Sequence, residues 1–316
     1  SENASYFMNW VLTNTLNYKL KLGAKNNVNI FVGQEALNTG KGRNMGGFGI
    51  NPFSMDPNFV TLNAVQSPAV NSSLFRGANY YSLFSKVDYN FNEKYYFTGV
   101  VRRDGSSVFG ENSRVGIFPA VSGAWRIASE DFMKDLPFIS DLKLRAGWGL
   151  MGNSNNVDAA NQFSLFGAGR GSSFYPIGGQ SSGADEGYFR TRIGNADTKW
   201  ETSETLNLGF DATLGNGKWE VAFDLWRKTT RDLLFPAPIP AVAGPGAAAP
   251  RVNIGSMRNQ GIDFQIINRG KITNELKYDL TLNNSFLQNE IISLVGTQQF
   301  INGPGYRGIS PIRNSV

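Results

Sequence analysis

The chain has 316 residues, of which 41% are hydrophobic and 17% charged, and its net charge of +5 is dispersed without a basic run. No segment approaches the roughly 18–20 consecutive apolar residues of a membrane helix, and nothing resembles a nucleic-acid footprint. Cysteine and histidine are both absent, so a Ser–His–Asp triad, a Cys–His pair and a His-containing metal site are excluded. With no H-E-x-x-H, Walker-type or G-x-S-x-G motif either, neither an enzyme nor a metal or other cofactor is expected.

Taken in chain order, the first element sets the pattern. Trp10, Leu12, Leu16, Tyr18, Leu20 and Leu22 share one side of a strand over 8–22, while Thr13, Thr15, Asn17, Lys19 and Lys21 share the other. Period two marks a strand with one apolar and one polar face. Strands are expected next at 28–37, 80–91, 95–104, 115–127, 141–151, 203–214, 218–229, 260–268 and 275–287. Tyr81, Leu83 and Val87 oppose Lys86 and Asp88; Leu144, Ala146 and Trp148 oppose Lys143 and Arg145; Leu208 and Phe210 oppose Asp211; Phe223 and Leu225 oppose Asp224. A charge on the apolar face near the middle of a bilayer costs about 2–4 kcal/mol, so a membrane barrel avoids it. A soluble sandwich also alternates, but tolerates such charges at its strand ends. Aromatic residues near strand ends, among them Trp10, Tyr95, Trp125, Trp148 and Trp219, suit interfacial girdles.

The connections alternate in length. Gly23 to Asn27, Asn92-Glu93-Lys94, Gly215-Asn216-Gly217 and Arg269-Gly270-Lys271 read as short turns. Residues 38–79, 105–114, 152–202 and 230–259 read as long loops, and 128–140 as a helical turn capped by Ser129. Short turns on one side and long loops on the other are the habit of a bacterial outer-membrane barrel. The reading is therefore all-β: an antiparallel transmembrane β-barrel, about ten strands of which lie in this chain. Without a secretory signal at Ser1 or an amphipathic strand at Val316, the chain reads as an internal piece of a larger barrel.

Specific residues then carry a resemblance. Val101-Arg102-Arg103-Asp104-Gly105-Ser106-Ser107-Val108-Phe109-Gly110, Phe118-Pro119-Ala120-Val121-Ser122-Gly123-Ala124-Trp125-Arg126-Ile127, Ser140-Asp141-Leu142-Lys143-Leu144-Arg145-Ala146-Gly147-Trp148-Gly149 and Gly152-Asn153 resemble the SusC/RagA family of TonB-linked outer-membrane transporters. Trp200-Glu201, Lys228 to Leu234 and Asn259-Gln260-Gly261 extend the likeness along the chain. Val108 stands where the family usually has Arg, and Ser122-Gly123-Ala124 reorders its small residues.

The resemblance implies a barrel of about 22 strands with a plugged lumen, in the cell outer membrane, importing glycans or oligopeptides. It also implies a SusD-like surface lipoprotein as lid, and a TonB complex acting through an N-terminal box. The plug, the TonB box and the barrel ends are expected outside this sequence. A passive outer-membrane porin is the alternative. Phe174, Tyr175, Tyr188 and Phe189 are candidates to stack on a ligand, with Arg190 and Arg192 to bind acidic groups. Arg103, Asp104, Gly105, Ser106 and Ser107 read as a loop-shaping motif, since Asp-Gly at a strand end forms turns. Arg102, Arg103, Arg126 and Arg145 are expected to pair with carboxylates across the lumen wall or toward the plug, because buried charges need partners.

Overall fold

The computed structural model describes residues 1–168, 173–175, 179, 185–237 and 247–293. Fourteen strands are present among them: β1 (Glu2–Leu22), β2 (Asn26–Ile50), β3 (Gln66–Phe91), β4 (Tyr95–Ser106), β5 (Val115–Arg126), β6 (Ile139–Asn153), β7 (Leu165–Gly167), β8 (Phe189–Arg192), β9 (Glu201–Leu214), β10 (Trp219–Arg231), β11 (Leu234–Pro236), β12 (Arg251–Asn253), β13 (Ser256–Lys271) and β14 (Lys277–Ser293). Ten form one antiparallel meander in the order β1-β2-β3-β4-β5-β6-β9-β10-β13-β14, and two small ribbons, β7–β8 and β11–β12, stand apart. Within the described residues the sheet is open, with β1 and β14 as its edges.

Local chemistry explains the tight turns at one end. Asn92 and Glu93 between β3 and β4 both take positive φ, and so do Gly215, Asn216 and Gly217 between β9 and β10. That backbone matches the twist of two antiparallel strands. Pairing register carries the faces across the sheet. In one row Phe91 faces Tyr95, Tyr95 faces Trp125, and Trp125 faces Leu144. The row continues through Phe210, Phe223 and Phe264. The adjacent row holds Tyr96, Ala124, Arg145, Gly209, Asp224 and Asp263. The sequence-based faces therefore hold: Trp10, Tyr81, Trp148, Leu208 and Phe223 lie on one, and Lys19, Lys86, Lys143, Arg145 and Asp224 on the other. Leu208, Leu280 and Phe286 are more than half exposed on the apolar face. Such a continuous apolar surface is far larger than a soluble monomer displays.

Several boundaries differ from those expected. Residues 38–50 and 66–79 are not loop: β2 and β3 stay paired from Asn38 and Asn79 to Ile50 and Gln66, leaving only 51–65 as the connection. Gly40 and Gly77 face one another within an unbroken stretch of the β2–β3 register, with φ of +77° and +69°, a region open to glycine at little cost. A Cβ at Gly77 would also sit 2.1 Å from the Thr39 carbonyl oxygen. β4 runs through Ser106, so the next loop is 107–114. The 127–138 connection contains two 3-10 turns, Ile127–Ser129 and Asp131–Met133, and Ser129 caps neither. Arg269-Gly270-Lys271 is strand rather than turn, because β13 reaches Lys271. The part of 230–259 spanning 238–246 lies outside the described residues.

Candidate functional site

Ion pairs knit the charged face of the sheet across its strands. Arg145 on β6 reaches Asp211 on β9 at 3.1 Å and Asp224 on β10 at 2.5 Å, placing one guanidinium between two carboxylates. Arg126 Nε donates to Asp141 at 2.8 Å. Arg269 pairs with Glu220 and, at 2.8 Å, with Asp279. Arg102 pairs with Asp104 at 2.7 Å and Glu35 at 3.5 Å, and Lys143 stands over the Tyr96 ring. Arg102, Arg126 and Arg145 thus find carboxylates within the wall itself. Arg103 falls on the opposite face by alternation and its row, opposite Leu83 and Ile117; the expectation that it pairs along the charged face does not hold, because its neighbours in register are apolar.

At the long-loop end the sheet carries the principal buried core. Val108, Phe109, Phe118, Val157, Trp200 and Leu234 cluster there, with Phe109 fully buried at 0% exposure. The Phe109 and Phe118 rings lie 4.8 and 5.5 Å from that of Trp200. The preceding motif leads the chain into this core. Asp104 holds Arg102, Ser106 is buried, and Ser107 Oγ accepts from the Asn79 amide at 2.9 Å. Ser107 also donates its amide to the Asn79 carbonyl, and Gly105 remains within β4.

Glu201, only 3% exposed, accepts bonds from Asn153 at 2.6 Å, from Asn156 at 2.8 Å and from the Leu234 amide at 2.8 Å. Its carboxylate joins the start of the 154–200 loop to the start of the 232–255 loop. Buried Asn161 makes a second link: its amide donates to Thr198 and to the Arg251 carbonyl, and its carbonyl accepts from the Arg251 amide at 2.7 Å. Of these linking residues, Glu201, Asn153 and Leu234 stood within quoted sequence motifs. Asn161 and Thr198 carried no signal, since an isolated Asn or Thr in a Gly/Ser-rich stretch reads as solvated loop.

The six residues expected to meet ligand lie in the 154–200 connection, four of them on or beside the β7–β8 ribbon, whose Thr191 and adjoining Ile193 bond Ala248. Tyr188 precedes β8, which contains Phe189, Arg190 and Arg192. Tyr175, preceded by Phe174, is bridged to Asp185 by two backbone bonds. Tyr188 and Tyr175 are 70% and 55% exposed, while Phe174 and Phe189 are half-buried. The Arg190 guanidinium stacks 5.7 Å from the Phe166 ring centre. Arg192 is paired with Asp158 at 3.2 Å. The ribbon thus offers two open tyrosine rings and one ring-stacked guanidinium. Among the described residues no group of three or more Asp or Glu is placed to hold a metal ion.

The opposite end is organised around Glu130. It accepts from Lys94 Nζ at 2.9 Å, from the Tyr95 hydroxyl at 2.7 Å and from Trp125 Nε1 at 3.1 Å. The Lys94 hydrogen bond, followed by those from Tyr95 and Trp125, holds its carboxyl down at about 2. The polar tips of two apolar-face aromatics are thereby tied to the 127–138 turn.

Comparison with known proteins identifies this arrangement. Residues 2–308 match the family described as TonB dependent receptor-like, beta-barrel. The TonB-dependent receptor SusC of Bacteroides thetaiotaomicron is 32% identical over 282 residues, covering 88% of this chain and 27% of that receptor. TonB-dependent receptor P3 of Formosa agariphila is 34% identical over 254 residues, covering 79% of this chain and 24% of the receptor. Among solved structures, the RagAB peptide importer in its closed-closed state superposes with a TM-score of 0.79 at 25% identity, over 96% of this chain and 32% of that one. The chain spans about a quarter of the length of these curated relatives.

Proposed function

Because the chain belongs to the TonB dependent receptor-like β-barrel family and is of the SusC/RagA type, we propose that it forms wall and extracellular loops of an energised outer-membrane importer for glycans or oligopeptides. The observation that carries this reading is the match over residues 2–308, laid on a sheet with one apolar face and one ion-paired face. The apolar face meets outer-membrane lipid, and the charged face lines the lumen. A plug and a TonB box, supplied by other parts of the protein, gate passage. A SusD-like surface lipoprotein covers the long loops, and segments within 152–202 and 230–259 bury an interface with it above the roughly 1,000 Å² expected of a biological contact. Tyr175, Tyr188 and Arg190 are the residues on which a sugar ring or peptide would rest; Phe174, Phe189 and Arg192 support them.

A passive porin of the same architecture is disfavoured, since the relatives are named TonB-dependent receptors. The test is uptake of labelled oligosaccharides and peptides by cells carrying the full-length receptor, with and without TonB. Uptake that stops without TonB while the receptor stays in the membrane supports the importer. A steady TonB-independent conductance through the purified receptor supports the porin. Deleting the tip of 152–202 is expected to weaken lid closure and uptake with the barrel intact.

A further inference from the structure

The apolar face is not uniform. A groove of about 590 Å³ opens on it between β9, β10, β13 and β14. Leu208, Leu225, Ile262 and Phe286 share one row of its floor. The next row toward the long loops changes character, with Arg227 and Gln260 side by side in the same groove. Arg227 makes no ion pair within 4.0 Å among the described residues, although the Glu204 carboxylate lies within electrostatic reach, whereas its neighbours Arg231 and Arg258 are paired directly, with Glu204 at 2.9 Å and Glu290 at 3.5 Å. Arg258 Nε, one row further up, is enclosed without an acceptor.

Height fixes what surrounds that guanidinium. Arg227 lies eight residues along β10 from Trp219, at the turn end of the strand. At about 3.3 Å per residue and a tilt of about 40° this is a rise of roughly 20 Å, close to the ~25 Å apolar band of a membrane barrel. Trp148 lies in the same register row as Arg227, through Leu206, and its indole donates to Glu204 at 3.0 Å, as an interfacial tryptophan does. Arg227 therefore emerges where hydrocarbon gives way to head groups, facing outward, with an apolar channel directly beneath it.

We propose that this groove is a lipid-binding site. Arg227, with the Gln260 amide, takes the phosphate of an anionic lipid head group, and an acyl chain lies over Leu208, Leu225, Ile262 and Phe286. The occupant follows from two features together: a planar guanidinium suits phosphate, and the channel is continuous with the belt already assigned to lipid. The inference rests on the barrel reading of the preceding section.

The test uses the full-length receptor, extracted in mild detergent and examined by native mass spectrometry after titration with phosphatidylglycerol or with phosphatidylcholine of the same chains. Wild type is expected to retain the anionic lipid about fivefold better. Arg227→Gln should bring that ratio close to one, while Lys228→Gln, on the charged face, should leave it unchanged. Equal retention of the two lipids by wild type, or an unchanged ratio in Arg227→Gln, overturns the proposal. Photolabelling with a diazirine-bearing acyl chain separates the two levels. Labelled β10 with no head-group preference overturns the site alone. Unlabelled β10 overturns the lipid-facing reading together with it.

Discussion

The 154–200 connection has two parts that obey different rules. Its ends, with Val157, Asn161, Thr198 and Trp200, are packed or hydrogen-bonded into the sheet's buried core. Its described middle includes the β7–β8 ribbon, and its Tyr175 and Tyr188 rings are open. The ends use apolar side chains and fully satisfied polar groups, because a buried backbone polar group must be paired. The middle uses aromatic rings with polar tips, which can contact a ligand face at small conformational cost. Anchoring and contact are thus separated along one loop, and changes to one part should leave the other's property alone.

The strongest way to break that separation is to empty the anchor. Phe109→Ala removes a fully buried ring lying against Trp200, and such truncations cost about 3–5 kcal/mol. In the full-length receptor the expected result is early proteolysis within 154–200 and 232–255, while the strands retain their far-ultraviolet signature. An unchanged proteolytic pattern would show that the loops do not depend on this core. Glu201→Ala should come next, at about 1–3 kcal/mol, because the buried Leu234 amide loses its acceptor, as do Asn153 and Asn156. Both 154–200 and 232–255 should loosen together in hydrogen exchange. Loosening of only one would mean that the carboxylate does not join them.

How much of this was legible beforehand follows the same division. Strand faces could be read at Leu144/Arg145 or Phe223/Asp224 because period two is local and lipid forbids charge on one side. Residues 38–50 and 66–79 differ from expectation because their strand character depends on pairing with each other across the 51–65 connection. Glu130 followed Ser129 closely enough to suggest a cap, yet its carboxylate serves Lys94, Tyr95 and Trp125. Asn161 and Thr198 were invisible because their partner, Arg251, lies across a second loop. Local period survives in the sequence; long-range polar pairing does not.

The contact half of the comparison is sharpened by changes that ought not to disturb the fold. Tyr175→Ala and Tyr188→Ala remove exposed rings, so stability should move by no more than about 0.5 kcal/mol. Uptake of labelled oligosaccharide or peptide should nevertheless fall. Uptake equal to wild type in the double variant would remove the ribbon from ligand contact. Arg192→Gln should sit between the two classes. Its pair with Asp158 is largely solvent-exposed on the aspartate side and is worth under about 1 kcal/mol, so any larger loss of uptake reports contact rather than anchoring.

The smallest effect is expected at the far end of the sheet, where a single carboxylate does for the 127–138 turn what the buried core does for the long loops. Glu130 sits near 2 in the fold against an ordinary 4.5, principally through the hydrogen bond from Lys94. A lowered carboxyl stabilises while ionised, so its contribution is complete above about 4.5 and is lost as pH falls toward 2. The protection factors of the 130–134 amides, which correct exchange for its own pH dependence, are therefore expected to fall across that window, and the Tyr95 and Trp125 tips to come free in the same range. Glu130→Gln should remove the larger part of the pH dependence, leaving only the part that Asp131 supplies through Lys134, and should leave the 154–200 anchor untouched. A turn whose protection factors stay flat from pH 5 to about 2 would show that the strands alone hold it, and that only the long-loop end needs a clamp of its own.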